Sequence, residues 1–130
     1  MKITKNTEET IEIAHEIAKN LGEKRVIYLI GELGSGKTTF TKGLAEYFGI
    51  KNFSIKSPTY TYIREHQGNL INFYHLDLYR LEEIDELLEE ELEEIIENDK
   101  NIVVIEWADR LSKTNNKNSI RIEFKYIDEN

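Results

Sequence analysis

The sequence predicts an α/β domain with a mixed, mostly parallel central sheet covered by helices. Two strongly apolar runs, at 26–30 and 102–105, are typical of central strands that are covered on both faces. A glycine-rich turn follows the first run directly and leads into a helical segment, which is the order of a strand–loop–helix unit. The chain has 130 residues, a size that one hydrophobic core can stabilise, so we expect 1–130 to form a single domain.

Two predicted helices flank the first central strand. The first carries its apolar residues on one face, begins with Thr7 as its N-cap and ends at Gly22. The second runs from about 37 to 48 and is closed by Gly49, because glycine accepts the backbone angles that commonly end a helix. We expect both helices to cover the sheet as parts of a three-layer sandwich.

A third, strongly acidic helix is predicted at 82–97. Six apolar residues recur there at helical spacing, namely Ile84, Leu87, Leu88, Leu92, Ile95 and Ile96. The glutamates between them have two interpretations, a solvated helix face or a docking surface for a basic partner. The sequence does not decide between the two.

An antiparallel hairpin is predicted in the middle of the chain. The runs 59–64 and 70–76 flank a turn signal at 67–69. Such a pair makes the otherwise parallel sheet mixed. The last strand alternates apolar and charged residues over 120–126, so we expect it to expose one face to water.

The segment 31–38 has the form G-x-x-x-x-G-K-[ST], a phosphate-binding loop. Its glycines allow backbone N–H groups to converge on phosphate oxygens, and the following helix points its positive end at the anion. Lys37 supplies a charge for the β- and γ-phosphates, and Thr38 supplies a hydroxyl for Mg²⁺. A plain glycine turn is the alternative, which the preceding strand disfavours. We therefore predict a P-loop NTPase-like fold that binds a nucleoside triphosphate.

Two acidic residues are predicted at the ends of strands near this loop. Asp77 follows the run 70–76, and Glu106 follows the run 102–105. In open α/β sheets ligands bind at the carboxyl edge, where these acids would hold Mg²⁺ and position the attacking water. The alternatives are a solvent-facing strand-end acid for Glu106 and an ordinary strand-to-helix corner for Asp77.

Three neighbouring features each have a structural and a functional interpretation. His75 alone is more typical of a packed or capping histidine than of a catalyst. Trp107 is either a core residue or a cover over the nucleotide. The segment 57–59 is a turn into a strand, or a switch in which Thr59 senses the γ-phosphate. Residues 116–119 lack the aspartate of a guanine-reading motif, which favours adenine.

Composition limits the other functional classes. The net charge of −8 argues against a broad basic footprint on nucleic acid, so we expect any nucleic acid to be held by a partner. The absence of cysteine excludes disulfides and thiolate chemistry. We find no signal peptide or membrane span in the sequence and expect a cytoplasmic protein.

Four motifs in one order carry a family resemblance. They are Gly-Glu-Leu-Gly-Ser-Gly-Lys-Thr-Thr at 31–39, Lys-Ser-Pro-Thr-Tyr-Thr at 56–61, His-Leu-Asp-Leu-Tyr-Arg-Leu at 75–81 and Ile-Glu-Trp at 105–107. Together they resemble the bacterial TsaE family. The resemblance implies a small ATPase, slow alone, that uses ATP and Mg²⁺ and is needed to form threonylcarbamoyladenosine in tRNA. It also implies TsaB-type and TsaD-type partner proteins.

The resemblance also implies roles for particular residues. The phosphates would be held by Leu33, Gly34, Ser35, Gly36, Lys37 and Thr38, with Thr39 continuing the nucleotide loop. Thr38 and Glu106 resemble the family's Mg²⁺ contacts, and Asp77 resembles its second acid near the metal and the hydrolytic water. Trp107 would lie close to the nucleotide, the segment 57–59 matches the switch, and Thr7 corresponds to a region near the adenine. The predicted catalytic residues are thus Lys37, Asp77 and Glu106.

Two other functional classes use the same loop. A small-molecule P-loop kinase would need an acceptor pocket and an arginine-bearing lid, and we see no Arg-rich lid segment. A non-hydrolytic, nucleotide-dependent assembly module would use ATP only to hold a complex together. Product analysis separates the kinase from the ATPase, and loss of the strand-end acid separates the ATPase from the module.

Overall fold

The structure, a computed structural model, describes residues 4–31, 36–50, 63–67, 71–77, 86–106 and 118–125. Within these ranges the helices are α1 (Thr7–Lys19), α2 (Lys37–Tyr47) and α3 (Glu86–Glu97). The strands are β1 (Val26–Gly31), β2 (Ile63–Gln67), β3 (Asn72–Asp77), β4 (Asn101–Glu106) and β5 (Ser119–Phe124).

The five described strands form one sheet in the order β2-β3-β4-β1-β5. The pairs β3–β4, β4–β1 and β1–β5 are parallel, and β2 runs antiparallel to β3. The predicted mixed, mostly parallel sheet with an antiparallel pair is therefore confirmed. β1 lies between β4 and β5, which is the covered position that its continuous apolar run predicts.

Helices cover both faces of the sheet. One core contains Ala14 and Ala18 of α1, Phe40 and Leu44 of α2, and Ile27, Leu29, Phe73, Ile102 and Val104 of the strands. The other core contains Leu92 of α3 with Val26, Tyr28, Leu76, Val103 and Ile105. Successive residues of β1 and β4 thus alternate between the two cores, as strand geometry requires. The layers are α1/α2, sheet and α3, which confirms the three-layer sandwich.

The start of α1 differs from its prediction by one residue. Asn6 is the N-cap, and its Oδ1 accepts a hydrogen bond from the Glu9 N–H at 2.9 Å. Thr7 is the first helical residue, so the prediction of Thr7 as the cap is wrong; Asn and Thr both serve as caps, and sequence does not separate neighbours of this kind. The helix ends at Lys19, before Gly22, which has a φ of +60°.

α1 and α2 pack unusually closely at a glycine. A Cβ placed on Gly43 would lie 2.8 Å from the Cβ of Ala14 and 3.2 Å from the Cα of Ile11. Further along both helices, His15 Nε2 lies 3.6 Å from Glu46 Oε2. The contacts advance in the same direction along both helices, so α1 and α2 begin at the same end of the domain.

The remaining elements follow their predictions with shifted limits. β2 continues to Gln67, which pairs with Asn72, while 59–62 and 68–70 lie outside the described residues. β5 ends at Phe124 and alternates between exposed and half-buried residues, as predicted.

The acidic helix is confirmed over 86–97, whereas 82–85 lie outside the described residues. Leu92 is buried, and Leu88, Ile95 and Ile96 pack beside it against the sheet. Leu87 is 76% exposed, so its predicted place on the apolar face is wrong. One helical residue turns by about 100°, which moves Leu87 off the stripe that Leu88 and Leu92 define.

Candidate nucleotide-binding site

Three strands end side by side at the carboxyl edge of the sheet. β1 ends at Gly31, β4 at Glu106 and β3 at Asp77. Asp77 pairs with Glu106 in the parallel ladder, and Glu106 also pairs with Leu29, two residues before Gly31. Both acids are therefore at strand ends, as the sequence indicated: Glu106 on β4, next to the strand that leads into the predicted phosphate loop, and Asp77 on β3, one strand further away.

The predicted phosphate loop lies between β1 and α2 in the sequence. Gly36 has a φ of +101° and is the N-cap of α2, so this position uses backbone freedom that other residues rarely have. The Phe40 N–H donates to the Gly36 carbonyl at 2.9 Å, which closes the first turn. The predicted ligands Leu33, Gly34 and Ser35 lie outside the described residues, as do Thr59 and Trp107.

Lys37 is buried, with only 5% of its surface exposed. Its Nζ donates a hydrogen bond to the carbonyl oxygen of Gly31 at 2.6 Å, so the ammonium group lies back at the end of β1. Thr41 supports this turn, because its Oγ1 donates to the Lys37 carbonyl at 2.8 Å. A positive charge is thus held at the end of the strand that enters the loop.

The start of α2 is suited to an anion. Among the described residues no side chain caps this helix, and its first turn carries no acidic residue although the whole chain has a net charge of −8. The first N–H groups of a helix have no partner within the helix and carry partial positive charge. Together with Lys37 they fit a phosphate group on chemical grounds.

Glu106 and His75 form a buried pair beside this position. His75 Nε2 lies 2.6 Å from Glu106 Oε2, and the two residues are 2% and 4% exposed. Phe73 and Val104, two residues earlier on the same strands, belong to the core under α1 and α2, so the pair lies on that face of the sheet. The interpretation of Glu106 as a solvent-facing acid is wrong.

Sequence reasoning gave His75 no role at the site. Its contact joins residues 31 apart in the chain, which only the parallel register of β3 and β4 brings together. A usable signal was present: His75 precedes Asp77 by two residues, and alternate residues of a strand lie on one face. The packed-histidine interpretation describes its burial but not its partner.

Three of the threonines predicted to contact the nucleotide lie at helix starts in the described part of the chain. Thr38 is exposed and Thr39 half-buried in the first turn of α2, and Thr7 is exposed at the start of α1. Because α1 and α2 begin at the same end of the domain, Thr7 lies toward the end from which the loop emerges. Whether these residues contact a ligand stays a prediction.

A preformed metal cluster is not part of the site in the residues that the structure describes: no three His, Cys, Asp or Glu side chains come together there. Mg²⁺ at a phosphate site needs only one or two protein oxygen ligands, because phosphate and water complete its shell. Thr38 and Glu106 are of the right chemical kind for that role.

Two tyrosines with shifted pKa values belong to the other face. Burial raises the pKa of Tyr28, and a hydrogen bond to Glu65 raises the pKa of Tyr74 to about 12. Both pack with the core under α3, away from the His75–Glu106 pair. Neither phenol is part of the candidate site.

A glycine-rich loop between a central parallel strand and a helix, with a buried acid at the end of the adjacent strand, defines a P-loop NTPase-like fold. The fold is similar to that of the crystal structure of Bacillus subtilis YdiB, with a TM-score of 0.75 and 32% identity; the match covers 97% of this chain and 76% of that chain. The family model described as threonylcarbamoyl adenosine biosynthesis protein TsaE matches residues 4–130. The chain belongs to the TsaE family, whose members take part in tRNA threonylcarbamoyladenosine biosynthesis.

Curated relatives carry the same name. The tRNA threonylcarbamoyladenosine biosynthesis protein TsaE of Aquifex aeolicus is 36% identical over 129 residues, 98% of this chain and 88% of the relative. That of Rickettsia felis is 32% identical over 130 residues, all of this chain and 75% of the relative. The resemblance stated from the motifs is confirmed. No helix in the described part of the chain has the length and apolarity that crossing a membrane requires.

Proposed function

We propose that this protein is a magnesium-dependent ATPase that supports threonylcarbamoyladenosine formation with TsaB-type and TsaD-type partners. One juxtaposition carries the proposal: the buried ammonium of Lys37, held at Gly31, and the buried carboxylate of Glu106 lie at neighbouring strand ends. A buried cation beside a helix start fits phosphate, and a nearby carboxylate fits the cation that accompanies it.

The residues divide into phosphate and cation ligands. Residues 33–39 would hold the triphosphate, with Lys37 as its charge partner. Thr38 and Glu106 would bind Mg²⁺, which when bound neutralises the charge on the phosphate oxygens. Asp77, whose backbone pairs with Glu106 at the same edge, would orient the attacking water. Thr7, Thr59 and Trp107 are proposed as further nucleotide contacts.

The contribution of the chain's own side chains to catalysis would be electrostatic. Lys37 and the start of α2 would stabilise negative charge on the phosphates, and burial of Lys37 and Glu106 strengthens such interactions by excluding water. Loss of one preorganised charge-stabilising group typically costs about 10²- to 10³-fold in rate. We therefore expect both side chains to be essential for turnover.

We propose that a partner protein, and not this chain, binds the tRNA. A net charge of −8 does not suit direct contact with many phosphates of a nucleic acid. We expect the ATPase to act in the cytoplasm on a complex that itself holds the tRNA, and to be slow without that complex.

The test compares Lys37→Ala with Lys42→Ala in the full-length protein. Lys42 lies on the same helix and is half-buried, but lies beyond the first turn, so it is a matched control. We expect Lys37→Ala to abolish ATP affinity and tRNA modification by the reconstituted proteins, and Lys42→Ala to change neither by more than about twofold. Unchanged values for Lys37→Ala would overturn the proposal.

Product analysis decides the remaining alternatives. Release of free phosphate supports hydrolysis, whereas a phosphorylated metabolite supports a kinase. Glu106→Ala that retains ATP binding but loses tRNA modification supports turnover. The same variant with full modification activity would instead support an assembly module.

A further inference from the structure

His75 is a buried ionisable residue to which the proposed function assigns no role. Its Nε2 lies 2.6 Å from Glu106 Oε2, on the face of the sheet whose core contains Phe73 and Val104. A carboxylate removed from water needs a hydrogen-bond donor, and an imidazole N–H can be that donor. The pair therefore satisfies a need that Glu106 itself creates.

The contact also restricts the carboxylate. A glutamate side chain has several rotatable bonds, and a hydrogen bond to one oxygen removes most of that freedom. Oε2 accepts from the imidazole, so the orientation of the whole group is fixed by the position of β3 relative to β4. A ligand carboxylate held in this way by an outer partner is a common device at metal sites.

We propose that His75 is a positioning residue for Glu106. It acts by orienting the carboxylate, not by touching nucleotide, and the inference rests on the proposed function of Glu106 as a cation ligand. β3 supplies both His75 and Asp77, so the same strand would orient one acid and carry the other. The pair is at the carboxyl edge of the sheet, where ligands bind in open α/β folds.

The decisive variants are His75→Gln and His75→Asn. The amide nitrogen of Gln reaches about as far as Nε2 and can donate to Glu106, whereas that of Asn falls short. We expect Gln to retain turnover within about fivefold and Asn to lose 10- to 100-fold, the cost of removing an outer partner. Affinity for ATP measured without magnesium should be unchanged in both.

A double-mutant cycle tests whether His75 acts through Glu106. His75→Leu should lower turnover 10- to 100-fold in the wild-type background and by less than twofold when Glu106 is already Gln. His66→Leu is the control, because His66 lies half-buried on β2 beside Phe73 and outside the site. It should leave turnover and ATP affinity unchanged.

A readout without ATP or magnesium is also available. In the nucleotide-free protein the short Nε2–H···Oε2 bond should give a protected imidazole proton signal in the NMR spectrum, lost in Glu106→Ala and kept in His66→Leu. Absence of that signal in the wild type would overturn the proposal. If His75→Leu fails to fold, the Gln and Asn pair decides, since equal turnover would overturn it.

The outcomes distinguish a failure of the role proposed for His75 from a failure of the proposed ATPase function on which it rests. If the wild type neither binds nor hydrolyses ATP, the proposed function fails and the inference fails with it. If the wild type is active and Lys37→Ala is inactive, but His75→Asn matches wild type, only the role of His75 is overturned. Loss confined to Asn and Leu, with Gln retained, supports the role.

Discussion

The two edges of the sheet use polar side chains differently. At the amino edge, Arg25 Nη1 donates to the carbonyls of Ile96 at 3.2 Å and Asn98 at 2.6 Å, and Asn101 Nδ2 donates to the carbonyl of Ile95 at 2.9 Å. At the carboxyl edge, the buried groups are ionisable side chains, and two of them pair with each other.

The difference indicates that the amino-edge groups stabilise the fold, whereas the carboxyl-edge pair serves the proposed reaction. The amino-edge donors bond carbonyls in the last turn of α3 and just after it, where helix carbonyls lack partners within the helix, so those groups have a structural use. A buried pair of ionisable groups gives little net stability, because desolvation offsets the attraction. Its presence at the carboxyl edge is better explained by function. Variants at the carboxyl edge should therefore change turnover, and variants at the amino edge should change the free energy of unfolding.

The largest expected effect is on turnover at the carboxyl edge. Glu106→Gln keeps the shape of the side chain and removes its charge, so the proposed ATPase should lose at least about 100-fold in rate while the fold persists. Asn101→Ala, at the other end of the same strand, is the matched control. It should cost about 1–2 kcal/mol of unfolding free energy and leave turnover unchanged. Equal turnover in Glu106→Gln and wild type would contradict a catalytic use of the carboxyl edge.

The next largest expected effect is a loss of stability at the carboxyl edge, at a glycine where two strands lie close together. A Cβ on Gly31 would lie 2.6 Å from the Phe124 carbonyl oxygen and 2.8 Å from the Phe124 Cβ, so β1 and β5 must separate. We expect Gly31→Ala to lower the free energy of unfolding by about 2–3 kcal/mol in urea titrations. Gly49→Ala is the control, with a φ of +74° but open space, and should cost only about 1 kcal/mol. Equal costs would show that the close approach is unimportant.

Sequence predicted the parts of this fold that local pattern determines. The runs 26–30 and 102–105 are apolar because each strand is covered on both faces, so their strand assignment needed no tertiary information. The loop at 31–38 is likewise local, because its chemistry requires a fixed spacing. The placement of Glu106 at a strand end followed from the run 102–105, and that of Asp77 from the apolar-rich run 70–76.

The rest depends on which strands become neighbours. The burial of Glu106 and its contact with His75 follow from the order β3-β4-β1, which no residue near either side chain encodes. Leu87 fits the apolar count of its helix and still faces solvent, because the sheet receives only one narrow stripe. Local pattern thus identified the candidate ligands but not the histidine that holds one of them.

The third largest expected effect is a loss of stability at the amino edge, without a change in ATP affinity. Arg25→Met keeps much of the side-chain volume and removes two charged hydrogen bonds to the end of α3, so it should cost about 2 kcal/mol of unfolding free energy. ATP affinity should change by less than about twofold, since the site is at the other edge. Arg121→Met, in an exposed pair with Glu123, should cost less than about 0.5 kcal/mol. A large loss of ATP affinity in Arg25→Met would contradict the separation of the edges.

The smallest effect concerns a polar pair at neither edge. Tyr74 donates to Glu65 directly across the β2–β3 pair, and this bond raises the pKa of Tyr74 from 10.0 to about 12. A raised folded pKa means that the bond stabilises the fold fully below pH 10 and that this contribution is lost as pH rises from 10 through about 12. Because the pair is near the surface, Tyr74→Phe should cost less than about 1 kcal/mol at pH 9. Urea unfolding of both proteins at pH 9 and above 11 should show that gap closing, since the buried Tyr28 titrates in both and cancels. A gap of the same size at pH 9 and above 11 would mean that ionisation of Tyr74 does not weaken the hairpin, because phenylalanine keeps the ring packing and lacks only the hydroxyl.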